Sequence, residues 1–293
     1  MEIRLPSFAK INLCLRVLGK RPDGYHELET LFQTIDLHDD LRFVLDPGPY
    51  GVEIHSSTPG IPTDEKNLIR QACDAFHAVS PVLYRVKVFL QKKIPAESGL
   101  GGGSSNAAIA LIGLSRLLTP PADPATLLTI AAKLGADVPF FLIGGTALGR
   151  GRGDRIEATN ELICDNVLVV VPSVTCSTAA IYRYYDERNL LTASANSIKI
   201  HSDPRPESLR DLVSRIGNDL ERVVFALYPE LDSIKKKLLQ SGAIAAAVTG
   251  SGSAIFGLFE NAADLDKARL LFANSIKTRF LKRSEYRSLV LEI

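Results

Sequence analysis

Four of the five residues from Gly99 to Gly103 are glycine, and the run continues through Ser104, Ser105 and Asn106 into the apolar stretch AAIALIGL. Glycines at a strand-to-helix junction remove the side chains that would hold backbone N–H groups away from an anion. The helix that follows adds unpaired N–H donors and the positive end of its dipole. That is phosphate-binding chemistry, with the Ser104 and Ser105 hydroxyls as further donors. The competing reading is a flexible turn whose serines only cap the helix. The density of glycine in this setting favours the anion site. Two common nucleotide motifs do not fit. Gly101, Gly102 and Gly103 are consecutive rather than spaced as G-x-G-x-x-G, and Leu118 to Pro121 contains no acid where that motif places one, about 20 residues on. No G-K-[ST] follows the glycines either.

Phosphoryl transfer also needs charge compensation and a group that orients or deprotonates the attacking hydroxyl. Asp137, in LGADVPFFLIGG, is an acid among apolar residues just after a helix stop. It reads equally as a base tuned by burial and a nearby cation, or as the N-cap of a short helix at Val138 to Leu142. Lys10, in PSFAKINL, enters an otherwise apolar strand with Asn12 on the same side. It reads either as the cation beside that acid or as a lysine snorkelling to the surface. Tyr25 and His26 follow Asp23-Gly24 in the turn RPDGYHEL, where a ring can stack on a base and an imidazole can hydrogen-bond it; plain surface exposure is the alternative. The loop VTGSGSAIF is either a hairpin turn or a second approach to the phosphates or substrate. His38, His55, His77 and His201 lack metal-ligand spacing.

These groups need elements to hold them, and the sequence supplies strands and helices in mixed order. Ile11 to Leu18, Leu41 to Leu45, Val52 to His55 and Arg85 to Leu90 read as strands, with a Pro-Gly loop at Pro47 to Gly51. Leu68, Ala72, Ala75, Phe76 and Val79 recur on one face of a helix from Asn67 to Val79. A second helix runs from about Ser104 to Leu118. A third starts with Asp123 as N-cap and Pro124 as its first residue and stops at Gly135. GGTALGRGRGDR reads as turn-rich, and a domain boundary near residue 155 divides the chain into units 1–155 and 156–293. Beyond it come a strand at Val167 to Val171, helices at Ser208 to Ile216, Asp219 to Leu227 and Leu231 to Gln240, strands at Ala243 to Val248 and Ala254 to Phe259, a helix from Ala262 to Asn274 and a closing strand from Leu289 to Ile293.

Whole-chain numbers exclude several classes. At 293 residues and 46% hydrophobic content the chain can bury a large core, so disorder is excluded. With 34 basic against 33 acidic residues there is no global field to attract nucleic acid or an anionic membrane, and any anion is bound locally. Cys14, Cys73, Cys164 and Cys176 form no C-x-x-C pair and read as reduced core residues. The start MEIRLPSFAKINL has no secretory pattern, and the longest apolar stretch, Ala107 to Leu114, is far short of the ~20 residues of a membrane span, so a soluble cytoplasmic protein is expected.

PSFAKINL, PAESGLGGGSSNAA and TGSGSAIF occur in the order and at about the distances of three motifs of the galactokinase, homoserine, mevalonate and phosphomevalonate (GHMP) kinase superfamily, which the chain resembles. PSFAKINLCLRVLGKRPDGYHELETLFQTIDLHD and LGADVPFF resemble the branch that phosphorylates 4-diphosphocytidyl-2-C-methyl-D-erythritol. The likeness is dense to residue 155, thinner afterwards, and returns at Thr249 to Phe256. It implies an α+β, two-domain GHMP-kinase fold, with a ribosomal S5 domain 2-like N-terminal domain that binds ATP and a ferredoxin-like α/β C-terminal domain that contributes to the substrate site. The implied reaction moves the γ-phosphoryl group of ATP to the 2-hydroxyl of the methylerythritol moiety, in the non-mevalonate route to isoprenoids. By the same resemblance Asp137 is the catalytic base, and Lys10 with Asn12 positions the hydroxyl. Tyr25 stacks on cytosine and His26 reads its polar edge. Thr178 and Tyr182, in PSVTCSTAAIY, supply a hydroxyl contact and the opposite stacking face, with Ser177 an alternative to Thr178. Gly99, Leu100, Gly101, Gly102, Gly103, Ser104 and Ser105 cradle the triphosphate, and Asn106, Asn67 and Lys92 lie near the nucleotide. Magnesium is expected with ATP; no acidic residue stands out as its ligand, and Ser104 is one candidate. The implied partners are ATP and cytidine diphosphate methylerythritol, with no nucleic acid and no membrane, on a monomer or weak homodimer.

Overall fold

A computed structural model of the chain describes residues 1–80, 82–188 and 208–291; His201 lies outside them. Two long antiparallel strands, β1 (Glu2–Lys20) and β2 (His26–Pro47), form its spine. Both extend well beyond the expected strands at Ile11 to Leu18 and Leu41 to Leu45. Glu27 and Glu29 give the start of β2 the look of a loop, yet each is paired across the ribbon or its turn, Glu27 with Arg21 at 2.6 Å and Glu29 with Arg16 at 3.9 Å. Register shifts at Phe8/Ala9, Asn12/Cys14 and Val17/Gly19 bend the ribbon.

The free edge of β2 is divided between two partners. Its first part, Leu28 to Gln33, pairs with β5 (Thr146–Gly151), and its second, Asp40 to Pro47, pairs with β4 (Tyr84–Gln91). Beyond these lie β6 (Arg155–Ala158) on β5, β3 (Gly51–Ser56) parallel to β4, and β8 (Gly217–Asn218) parallel to β1, completing a seven-stranded sheet. GGTALGRGRGDR therefore holds strand β5 and the turn at 152–154 into β6 rather than turns throughout. Its glycine at position 149 answers a packing demand, because a Cβ there would sit 2.6 Å from Phe32 Cε2.

Helices α1 (Leu68–His77), α2 (Gly102–Leu117) and α3 (Pro124–Leu134) start and stop close to their expected ends. Asp123 caps α3 by accepting the Thr126 N–H at 3.0 Å. Helix α2 is apolar on every side and is buried from Ser105 to Ser115, packed between β1 and β2 on one side and α1, α3 and a 3₁₀ turn at Val138–Leu142 on the other.

A second, four-stranded antiparallel sheet has the order β11 (Ser275–Thr278), β7 (Val167–Val170), β10 (Ile255–Leu258), β9 (Ala245–Val248). Strand β7 is buried on both faces, which explains its unbroken apolar run. Val167 and Val169 share a core with Ala9, Ile11 and Leu13 of β1, while Leu168 and Val170 face Ile181, Leu231, Leu238 and Leu265. Those residues belong to α4 (Thr178–Glu187), α7 (Pro229–Gln240) and α8 (Ala262–Arg269); α5 (Leu209–Arg215) and α6 (Glu221–Leu227) complete this part. Helix α8 ends at Arg269, sooner than Asn274, and residues 270–274 form the turn that leads into β11.

The closing strand expected at Leu289 to Ile293 is instead α9 (Arg283–Val290) followed by Leu291, and residues 292–293 lie outside those described. Tyr286 and Val290, four apart, bury on one helical face, and the Glu285 carboxylate accepts the Lys282 N–H at 3.2 Å to start the helix. Among the described residues no helix is long and apolar enough to cross a membrane.

Candidate active site

Strand alternation sends Ala9, Ile11 and Leu13 into the core shared with the second sheet and leaves Lys10 and Asn12 on the opposite face. Lys10 does not snorkel. It is 2% exposed, and its Nζ donates to Asn12 Oδ1 at 2.6 Å and lies 3.2 Å from Asp137 Oδ2. The Asn12 amide is fixed in turn, because its Nδ2 donates to Thr30 Oγ1 at 2.8 Å, which holds the oxygen toward the lysine. Asp137 precedes the 3₁₀ turn but makes no capping hydrogen bond. Its side chain is 33% exposed, so the carboxylate is held by the buried ammonium on one side and open to the cleft on the other.

Helix α2 begins at Gly101, whose φ of +72° is left-handed and which supplies no side-chain cap, so the first amides of the helix are left for an anion. Gly101 is needed for a second reason. A Cβ there would meet Phe141 Cζ at 2.9 Å and Lys10 Cγ at 3.0 Å, so the lysine stem reaches Asp137 by crossing bare backbone. Leu100 is buried and its carbonyl accepts the Lys10 N–H at 3.0 Å. Gly99, Gly102, Gly103, Ser104 and Asn106 border the cleft. Ser105 does not: it is fully buried, with its Oγ 2.7 Å from Ser7 Oγ, and the Ser7 hydroxyl donates to Asn106 Oδ1 at 2.6 Å. This pair ties α2 to β1.

The second glycine loop is both a hairpin turn, between β9 and β10, and a wall of the same site. The Thr249 hydroxyl lies 3.2 Å from both Gly99 O and Asn12 Oδ1 and accepts the Asn12 N–H at 3.1 Å, while Asn218 Nδ2 donates to Gly250 O at 2.6 Å. The contact between the two loops is tight. At Gly99, φ +79°, a Cβ would fall 2.3 Å from the Thr249 carbonyl oxygen. Gly99→Ala is expected to lose about 2–4 kcal/mol of stability through backbone strain and overpacking. A raised KM for ATP should accompany that loss, and a thermal melt and a KM within error of the parent chain would contradict it.

At the end of the cleft beside α1, Asn67 caps that helix by accepting the Ile69 N–H at 2.8 Å and borders the cleft. Lys92 also borders it, with Nζ donating to Asp39 Oδ2 at 2.7 Å and Ile94 O at 2.6 Å. Burial lowers the Lys92 ammonium below its ordinary value, an effect that Asp39 opposes. Asp39 was not singled out by sequence. It is fully buried and also accepts the N–H groups of Lys93 and Ile94 at 2.7 and 2.8 Å, bracing the chain between β4 and the glycine loop.

At the far end stand Tyr25, 57% exposed with the Arg152 guanidinium 5.1 Å from its ring centre, and His26, 6% exposed. Helix α4 surrounds the imidazole. Tyr182 stacks on it with centroids 4.8 Å apart, Tyr185 meets it edge-on at 6.3 Å, and Asp186 Oδ1 lies 2.7 Å from Nε2. Burial raises the Tyr182 phenol above its ordinary value, and the Asp137 charge adds to the effect, which couples this corner to the lysine–aspartate pair. Ser177, rather than contacting the cleft alone, caps α4 through the Ala180 N–H at 3.3 Å, and Thr178 Oγ1 is 2.7 Å from Ser251 Oγ across the loops. Asp186 carried no sequence signal, standing 160 residues from its histidine. Lys10, Asn12, Asp137, the glycine loop, Asn67, Lys92, Tyr25, His26, Thr178, Tyr182 and Asp186 line one cleft of about 1630 Å³. The cysteines are free and buried; burial pushes Cys14 and Cys73 up to about 12 and Cys176, at the cleft wall, up to about 11, which leaves them poor nucleophiles.

The glycine-lined helix start and the two-sheet architecture define a kinase class, and the models for the GHMP kinases N terminal domain and GHMP kinases C terminal match residues 67–145 and 199–273. The 4-diphosphocytidyl-2-C-methyl-D-erythritol kinase of Pelotomaculum thermopropionicum is 40% identical, over 95% of both chains, and that of Geobacter sulfurreducens is 38% identical over 94% of this chain and 99% of its own. A crystal structure of 4-(cytidine 5'-diphospho)-2C-methyl-D-erythritol kinase superposes with a TM-score of 0.73 at 31% identity, covering 95% of this chain and 99% of the other. The chain belongs to the 4-diphosphocytidyl-2-C-methyl-D-erythritol kinase family of the GHMP kinases.

Proposed function

We propose that the chain transfers the γ-phosphoryl group of ATP to the 2-hydroxyl of 4-diphosphocytidyl-2-C-methyl-D-erythritol, an ATP-dependent step of the non-mevalonate isoprenoid route, in the cytoplasm. The observation that carries this reading is the meeting, in one cleft, of a buried lysine beside a partly exposed aspartate, an uncapped glycine-lined helix start and an aromatic corner around His26. The amides of Gly102, Gly103 and Ser104 bind the triphosphate, with Lys92 and Asn67 at the nucleotide end. The alcohol lies between Lys10 and Asp137. Asp137 accepts the hydroxyl proton as the oxygen attacks the γ-phosphorus, the bond to the β-phosphate oxygen breaks, and ADP leaves with the electron pair. Lys10 stabilises both the carboxylate and the developing alkoxide, and Asn12 keeps the ammonium aimed. Tyr25 stacks on cytosine, His26 reads its edge, and Thr178 and Tyr182 line the same end.

Magnesium, bound with ATP, would supply charge neutralisation on the phosphates. Among the described residues no three His, Cys, Asp or Glu side chains converge on a metal position, and the Ser104 hydroxyl, on the loop at the cleft, would be the protein oxygen offered to the ion. The division near residue 155 is retained in this reading, since β6 closes the first sheet and β7 opens the second, although β8 and α9 return to the first. Mg-ATP with the cytidyl alcohol, mevalonate or homoserine, followed by ADP release, is the direct test. Turnover is expected with the cytidyl alcohol, and turnover confined to mevalonate or homoserine would overturn the assignment.

A further inference from the structure

The imidazole of His26 is held by one helix at three points, its face on Tyr182, its edge on Tyr185 and its Nε2 on Asp186 Oδ1 at 2.7 Å. Asp186 Oδ2 is also fixed, by Lys20 Nζ at 2.7 Å. Burial alone would raise the Asp186 carboxyl, but hydrogen bonds from Lys20 and His26 and their charges outweigh it and hold the group below the usual carboxylate range. At neutral pH it is therefore a carboxylate, which can only accept. An acceptor at that distance places a proton on Nε2, and in the neutral imidazole that leaves the Nδ1 lone pair bare. Among the described residues Nδ1 has no partner, and the ring borders the cleft.

We propose that Asp186 is a positioning residue for base recognition, fixing the His26 ring as the Nε2–H form so that Nδ1 presents an acceptor to the cleft. An acceptor there welcomes the exocyclic amine of cytosine and opposes the carbonyl oxygen that uracil carries in its place. The inference rests on the cytidyl-substrate reading above and adds the group that sets the polarity of its base site. Lys20 serves the same arrangement by holding the second carboxylate oxygen, so the carboxylate cannot rotate away from the ring.

The test compares the unaltered chain with Asp186→Asn and Asp186→Glu, using the cytidyl alcohol and its uridyl analogue, with ¹⁵N spectra of the His26 ring in the substrate-free protein at alkaline pH. Asn can donate as well as accept, so Asp186→Asn is expected to mix the two neutral ring forms, raise KM for the cytidyl alcohol ~10-fold and narrow the cytidyl-over-uridyl preference by a similar factor. The KM for ATP, which reports on the fold and the other end of the cleft, is expected to hold, and Asp186→Glu is expected to restore part of the preference. A His26 ring protonated at Nδ1 in the unaltered chain, or an Asp186→Asn preference equal to the parent's, overturns the role of Asp186. A lack of turnover of the cytidyl alcohol by the unaltered chain would instead strike the underlying functional reading, and the ring spectra distinguish the two failures because they need no substrate.

Discussion

Asp137→Asn is expected to lower turnover by ~100-fold or more while ATP binding is largely retained. The substitution conserves volume and one oxygen, so the 3₁₀ turn behind it should stand, all the more because the native carboxylate caps nothing. What disappears is the negative charge 3.2 Å from a buried ammonium and the ability to take a proton. ADP release at saturating substrates measures the first quantity and equilibrium titration with ATP the second. Parent-like turnover would remove Asp137 from the chemistry, whereas equal losses in turnover and ATP affinity would indicate a damaged fold.

Lys10→Met is expected to reduce turnover by ~10²–10³-fold, the usual scale for deleting a preorganised charge aimed at a developing oxyanion. Methionine matches the stem in length and is as apolar as the pocket through which it runs, so the loss is electrostatic more than steric. It removes the ammonium that Asn12 Oδ1 and Asp137 Oδ2 share, leaving Asn12 Oδ1 only the Thr249 hydroxyl at 3.2 Å and the carboxylate only the open side of the cleft. Because the lysine and aspartate act as a unit, the double variant Lys10→Met/Asp137→Asn should be scarcely slower than the worse single one. Multiplicative losses in that double variant would show that the two act independently, contrary to the geometry. Lys10→Arg is no rescue, since the passage past Gly101 and Phe141 is already filled.

Much of this site was legible because its signals are local. Glycine density picked out the loop that opens α2, and Asp123, Pro124 and Gly135 bracketed α3 to the residue. Lys10 and Asp137 were each ambiguous alone; resemblance of the surrounding motifs joined them, and the structure brings them to 3.2 Å. The parts that escaped have non-local causes. Strand β2 hides behind acids whose partners come from its turn and the adjoining strand, and Gly149 looks like a turn former until the Phe32 ring is set against it. Helix α9 was read as a strand because a short apolar run has no period of its own, while the buried pair Tyr286 and Val290 begins outside that run. Asp39 and Asp186 have no neighbouring motif at all, since each meets its partner only after 53 and 160 residues of chain have folded back. Helix α4 could have been found from Ser177 as N-cap and from Ile181 and Tyr185 four residues apart.

The β1–β2 ribbon has a further consequence for what the cleft admits. Lys10 is paired with Thr34 and Lys20 with His26, so the proposed place of reaction and the proposed base site are graduations on a single hydrogen-bonded ladder. Inserting or deleting one residue between them would turn the later side chains to the wrong face as well as change the spacing. On the proposed roles of Lys10 and His26, the residue count between them thus sets the length that a substrate must span from its base to its reacting hydroxyl.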